Sequence, residues 1–268
     1  MAVTGRSKCN RILRHSFVLK RMEVLTSRKN PLIARLRALG TDRAFREAQG
    51  EYLCDGIKLL REALLWNAEI TAVLWAEEPS LAEISAPQYR VPKELLDYVS
   101  PMKNAPGVVF SVRMKSWPMS APGRTLVVET IQDPGNLGTI LRTANALGMD
   151  SVLLTGDCAD VYNPKTVRAA MGAVFRQRFH VLNRAALRRI LDENGMKLYG
   201  AALSDQSADI RRMDLKNAAV AIGSEGQGLS GELLALCDGE LIIPMSGQCE
   251  SLNAAVAAAI VMWELGRA

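Results

Sequence analysis

The chain has 268 residues, 49% hydrophobic and 23% charged, with a net charge of +5, which excludes global disorder and leaves room for one large domain or two modest ones. No apolar run reaches the roughly 20 residues of a membrane-spanning helix, and basic residues interrupt "MAVTGRSKCNRILRHSFVLKRM" wherever the apolar core of a signal peptide would begin. Five scattered cysteines without a C-x-x-C pair point to reduced thiols, to a cytoplasmic protein and to no metal. With only His15 and His180 present, a histidine base or a histidine-bound metal has few candidates, and His180 in "RFHVL" reads as a packed strand residue.

Charge is uneven along the chain. The first 40 residues carry ten Lys and Arg against one acid, Glu23, so they sum to +9 and the remaining residues to −4. Residues 1–21 read as a basic arm ahead of a mildly acidic body, the footprint of a polyanion binder in which Arg28 and Lys29 take part, or as a solvated tail, since Met22 offers a second start. From 22 to 115 the spacing predicts a helix at "NPLIARLRALG", then one at "GEYLCDGIKLLREALLW". Short strands "ITAVLWAEE", "QYRVP" and "GVVFSVRM" follow, with a helix "KELLDYVS" between them, which makes a small α/β module. "KSWPMSAPGR" breaks every periodicity and marks a linker at 116–123.

From 124 to 268 a strand-turn-helix unit repeats. "TLVVETI" leads to "LGTILRTANALG", "SVLLTG" to "NPKTVRAAMGAVFR", "AAVAIG" to "SGELLALC", and "ELIIP" to "SLNAAVAAAIVMWEL". Apolar strands alternating with helices predict a parallel sheet covered on both faces, and ligands of such sheets sit at the carboxyl ends of the strands. Three unusual turns fall there. In "DPGNLGTILRTANALG", Leu137, Ile140, Leu141, Ala144 and Leu147 form the core face, which leaves Arg142 and Gly138 on the opposite one, with Gly138 opening space near Asn136. In "IGSEGQGLS", Gly223, Gly226 and Gly228 surround Glu225 and let backbone amides crowd a ligand, and Ser230 can cap the next helix. The pattern is neither a P-loop nor a dinucleotide fingerprint, so ATP and NAD lose ground. In "IPMSGQCESLNAAVAAAI", Ser251 or Asn253 could cap the last helix, and Asn253 reads as lying just inside it, where Asn is a poor helix former. Asn163 caps the helix of "NPKTVRAAMGAVFR", Pro164 takes its first position, Lys165 and Arg168 face a polyanion or plain solvent, and Gly172 suits close packing.

Together and in this order, "DPGNLGTILRTANALG", "IGSEGQGLS" and "IPMSGQCESLNAAVAAAI" resemble the three signature motifs of the SpoU (TrmH-like) family of SPOUT-class RNA 2'-O-ribose methyltransferases. "NPKTVRAAMGAVFR" is similar to the family's intervening block, and residues 22–115 resemble its L30e-like RNA-binding domain, although Cys54-Asp55-Gly56 stands where the family more often has an apolar residue, Glu and Gly. The resemblance implies an α/β trefoil-knot methyltransferase domain, S-adenosylmethionine held bent in the knot loops, and a homodimer that completes the site. It implies a catalytic set of Asn136, Arg142, Glu225, Ser251 and Asn253, and cofactor contacts from Gly223, Ile243 and Leu252.

A ribose hydroxyl is too weak an acid to ionise at neutral pH, so something must take or share its proton. Arg142 is either that base or a phosphate clamp. The clamp is chemically easier, because guanidinium stays protonated over the accessible range. RNA is the expected partner, ribosomal RNA ahead of transfer RNA; the competing readings are a non-catalytic RNA binder, a base methyltransferase and a small-molecule α/β enzyme.

Overall fold

A computed structural model describes residues 22–81, 84–102, 104–119, 123–246 and 251–267. The arm at 1–21 and part of the 116–123 linker lie outside the described residues, and so do Cys9, His15 and Cys249.

The first half forms β1 (Glu23–Val24), α1 (Pro31–Thr41), α2 (Arg43–Gln49), β2 (Glu51–Asp55), α3 (Ile57–Leu65), β3 (Ile70–Trp75), β4 (Gln88–Arg90), α4 (Lys93–Val99) and β5 (Val108–Arg113). Local chemistry sets these boundaries. Asn30 accepts from Leu32 N with Pro31 at the first position of α1, Asp42 ends α1 and caps α2 through Phe45 N, and Gly50, in the left-handed region at φ 61, ends α2. The strands pair in the order β1-β4-β3-β5-β2, with β5 antiparallel to both neighbours.

The single helix expected over "GEYLCDGIKLLREALLW" is instead β2 followed by α3. Tyr52 and Cys54 enter one core and Leu53 another, so the strand is buried on both faces and shows no period-2 alternation. Gly56, at φ 94, makes the break between the two elements.

The second half forms β6 (Thr125–Glu129), α5 (Pro134–Ala146), β7 (Ser151–Thr155), α6 (Pro164–Ala169), β8 (Phe179–Val181), α7 (Arg184–Glu193), β9 (Lys197–Ala201), β10 (Ala208–Asp209), β11 (Ala218–Ile222), α8 (Gly231–Leu234), β12 (Gly239–Ile242) and α9 (Ala254–Arg267). Its seven strands are all parallel, in the order β10-β12-β9-β11-β6-β7-β8. Leu126, Val128, Val152 and Val220 meet α5 and α9 on one face, while Val127, Leu153 and Ala219 meet α7 and α8 on the other, the two-sided burial that the apolar strands predict. Direction reverses between β6 and β11, and ligands of open parallel sheets bind at such a switch point.

Two helices are shorter than their sequences suggest. α6 stops at Ala169, because Met171 and Gly172 adopt φ 49 and φ 87 before a 3-10 turn at Ala173–Phe175. Gly172 thus serves a left-handed turn as well as close packing, since a Cβ there would press on Glu62. α8 is a single turn, capped by Ser230 through Leu233 N.

One core joins the halves: Tyr52 lies 4.6 Å, centroid to centroid, from Tyr162 and 6.5 Å from Phe175. Three ion pairs run across it, Arg46 to Asp160 at 2.6 Å, Arg168 to Asp55 at 3.0 Å and Arg176 to Glu62 at 2.6 Å.

Candidate active site

The three glycine- and asparagine-bearing turns converge on one carboxylate. Asp133 caps α5 by accepting from Asn136 N at 2.7 Å, which uses the Asn136 backbone and leaves its side chain to reach across the sheet edge. Asn136 Nδ2 donates to Glu225 Oε1 at 2.9 Å, Asn253 Nδ2 to the same oxygen at 2.6 Å, and Ala254 N at 3.1 Å. Asn253 Nδ2 also donates to Asn136 Oδ1 at 3.1 Å. One oxygen therefore ties together the turns after β6, β11 and β12. Its negative charge sits at the first N–H of α9, where the helix dipole favours an anion.

Asn253 is outside α9 rather than inside it. Its Oδ1 accepts from Ala255 N at 2.9 Å and Val256 N at 3.3 Å, the geometry of a cap, so both ends of the amide are occupied.

Arg142 does not join this cluster. Its side chain is exposed on α5, as the apolar spacing predicts, and makes no hydrogen bond or ion pair among the described residues. Gly138 is buried, contrary to expectation: a Cβ there would collide with Thr166 O and Ala169 of α6, so the glycine admits a neighbouring helix and not a ligand.

Beside the cluster lies a cavity of about 480 Å³, walled by the 223–229 loop and by Ile243, Ser251 and Leu252. All three residues expected to touch the cofactor, Gly223, Ile243 and Leu252, line it. Gly223 acts differently from the sequence reading: a Cβ there would collide with the Gly228 carbonyl, so the glycine lets the loop fold on itself, with Gly228 N donating to Ser224 O at 2.9 Å. The remaining wall combines apolar side chains with loop backbone. Apolar side chains can receive the flat adenine ring, loop amides and carbonyls can pair with its edge and with the ribose hydroxyls, and the volume accommodates S-adenosylmethionine.

Glu129 belongs to none of the three motifs. It is 1% exposed at the end of β6 and accepts from Arg184 Nε at 3.0 Å, Arg184 Nη2 at 2.9 Å, Ser230 Oγ at 2.8 Å and Ser230 N at 2.7 Å. This clasp holds the far end of the 223–230 loop. A lone acid closing the apolar run "TLVVE" is its only signal in the sequence.

The other expected residues lie elsewhere. Asn163 caps α6 through Lys165 N at 2.9 Å, Lys165 is exposed, and Arg168 spends one edge of its guanidinium on Asp55. Arg28 stacks 4.6 Å from the Tyr98 ring centroid beside exposed Lys29. His180 is half-buried on edge strand β8, away from the cavity, its pKa lowered by burial and then by Arg178. Burial raises the Cys158 thiol and pushes Cys237 up to about 11, so neither is an activated nucleophile.

A doubly covered parallel sheet with a ligand-sized cavity and a polar node at its switch point defines an α/β enzyme domain. Residues 123–263, more than half of the chain, match the model of the SpoU rRNA Methylase family, and the chain belongs to that family. It is 35% identical to an uncharacterized tRNA/rRNA methyltransferase of Synechocystis, over 91% of this chain and 93% of that one. It is 32% identical to the 23S rRNA (guanosine(2553)-2'-O)-methyltransferase RlmP of Bacillus subtilis, over 91% and 99%. Among solved structures, it resembles the AdoMet-bound rRNA methyltransferase of Sinorhizobium meliloti, with a TM-score of 0.83, 28% identity and coverage of 92% and 98%.

Proposed function

We propose that the protein transfers a methyl group from S-adenosylmethionine to a ribose 2'-hydroxyl of RNA, with ribosomal RNA favoured over transfer RNA. The observation that carries this reading is the Asn136-Glu225-Asn253 node beside a cavity of about 480 Å³, with Arg142, unpaired among the described residues, exposed on the helix that carries Asn136. The activity in the name of RlmP and the AdoMet bound to the Sinorhizobium enzyme support it.

Gly223, Ile243 and Leu252 hold the cofactor, which supplies an electrophilic methyl group on a sulfonium. Arg142 clamps an RNA phosphate and fixes the ribose against the cavity mouth; arginine forks suit phosphate, and such orientation lowers the barrier. Asn136 and Asn253 carry amides without a basic site, and together with Glu225, whose Oε1 accepts three N–H donors, they hold the turns in place. Ser251 Oγ, exposed at the cavity wall, passes the hydroxyl proton to solvent.

Residues 22–115 form the L30e-like RNA-binding domain and 124–268 the methyltransferase domain, joined by the 116–123 linker; Asn163, Lys165, Arg168, Arg28 and Lys29 face the RNA. The chain leaves the sheet at β12 and returns as α9 to pack on α5, β6 and β11, which supports a trefoil knot closed between β12 and α9. α9 presents Val256, 48% exposed, and Trp263, 60% exposed, seven positions apart on one stripe. That stripe supports a homodimer in which a second copy covers it. RNA as substrate places the reaction in the cytoplasm.

Methyl-labelled S-adenosylmethionine, unmodified ribosomal or transfer RNA, and digestion to nucleosides test the reading. Label is expected in a 2'-O-methylnucleoside and is lost with Arg142→Ala. Label on a base overturns ribose chemistry, and no label in either RNA overturns the enzyme.

A further inference from the structure

Outside the polar node, a seam between α3 and the α6 segment carries both paired and unpaired charges. Arg168 reaches Asp55 just before α3, a Cβ on Gly172 would touch Glu62, and Arg176 lies over Trp66 just after α3. The two segments therefore run side by side in the same direction. Lys58 and Leu65 lie one turn on either side of Glu62 on the exposed face of α3, with Arg61 beside them. Across the seam, α6 exposes Lys165 and the following turn exposes Met171.

Charge on the seam is unbalanced. Asp55 and Glu62 are already paired, with Arg168 and Arg176. Lys58, Arg61 and Lys165 make no ion pair among the described residues, so five cations face two carboxylates.

At one end the seam offers a rigid aromatic platform. Trp66 is 46% exposed, and the Arg176 guanidinium covers one face of its ring at 5.1 Å from the centroid. Arg176 is fixed by Asn145 Oδ1 at 2.7 Å, Glu62 Oε2 at 2.6 Å and Gly172 O at 3.1 Å. The guanidinium against the ring is thus fixed, and the exposed part of Trp66 is open to a flat partner, the arrangement of a stacking platform beside a cationic track.

α5 runs along another flank of the α6 segment. Gly138, Arg142 and Asn145 recur at i, i+4 and i+7 on one stripe of α5. Gly138 packs on Thr166 and Ala169, and Asn145 accepts from Arg176. Arg142 lies on that stripe between these two points of attachment to the α6 segment.

We propose that this seam is the track for single-stranded RNA flanking the methylated nucleotide, with Lys58, Arg61 and Lys165 on its phosphates and a base stacked on Trp66. The proposal rests on the RNA methyltransferase reading and adds the α3 face to it. An unpaired cationic row beside one rigid exposed ring favours a phosphate backbone with bases over a protein partner.

The test is steady-state methyl transfer by the full chain to unmodified ribosomal and transfer RNA, with Trp66→Ala, Trp66→Phe and the Lys58→Ala/Arg61→Ala double variant. Trp66→Ala is expected to raise KM for RNA about tenfold, with kcat and the Kd for S-adenosylmethionine unchanged, and Trp66→Phe to restore most of the loss. The double variant should flatten the salt dependence of log KM by about 0.7 for each phosphate that it no longer neutralises. An unchanged RNA KM in all three variants, or a parallel loss of cofactor affinity, overturns the track. A drop in oligomeric mass on Trp66→Ala at unchanged RNA KM overturns it in favour of an interface between copies. If the wild-type chain itself methylates neither RNA, the reading beneath the proposal has failed, a result distinct from that of an active wild type with indifferent variants.

Discussion

Two glutamates brace the loop of Gly223 to Ser230, and they do so in opposite surroundings. Glu129 is buried and takes four hydrogen bonds from Arg184 and Ser230. Glu225 is exposed and takes three on one oxygen from Asn136, Asn253 and Ala254. A buried charge interacts strongly and is expensive to strand, whereas an exposed one is screened and weakly stabilising. Glu129 is thus the structural anchor at the back of the loop, and Glu225 aligns its front with little effect on stability. The difference shows how the loop can be firm where it meets the core and accessible where it borders the cavity.

The largest expected effect falls on the anchor. Glu129→Ala leaves Ser230 N without its acceptor and strips Arg184 of its buried partner, with the exposed Glu232 remaining, and should cost about 2 kcal/mol in urea unfolding; a loss below about 1 kcal/mol would put the anchor elsewhere. Glu225→Ala removes this exposed acceptor and should change stability by less than about 1 kcal/mol. Its kcat should nonetheless fall about tenfold or more, because misplacement at a reacting site is costly. Equal losses of stability in the two variants would erase the contrast.

The smallest effect concerns His180, remote from both. Burial, then Arg178, lowers its pKa from 6.5, so the folded chain favours neutral imidazole. Its contribution is complete above about 6.5 and declines as pH falls below that value, because the unfolded chain protonates first. His180→Asn should flatten that part of the stability curve and leave methyl transfer near pH 7 unaltered.

The sheet of the second half is legible in the sequence because strands buried on both faces remain apolar throughout and alternate with capped helices. The same two-sided burial hides β2, whose apolar run merges with that of α3, and only the backbone at Gly56 separates them. Helical spacing places Arg142 on the exposed side of α5 correctly and Gly138 there wrongly. Periodicity shows which face leaves a helix's own core, not whether another helix covers it. Asn253 differs from its expected place by one position, since a cap and a first-turn residue share the same sequence neighbourhood. Glu129 carries a signal, a charge at the end of an apolar strand, but its partners stand 55 and 101 positions away. The α3 seam gives none, because Arg168 and Asp55 are 113 residues apart.

The hydrogen bond from Asn253 to Asn136 spans 117 positions. Closing so long a stretch of chain carries an entropic cost before any contact rewards it, and contacts of this range slow folding. The pairing of β11 with β6 spans a comparable stretch, and the node can close only where those two strands stand side by side. Activity then reports closure of the sheet rather than formation of its local helices.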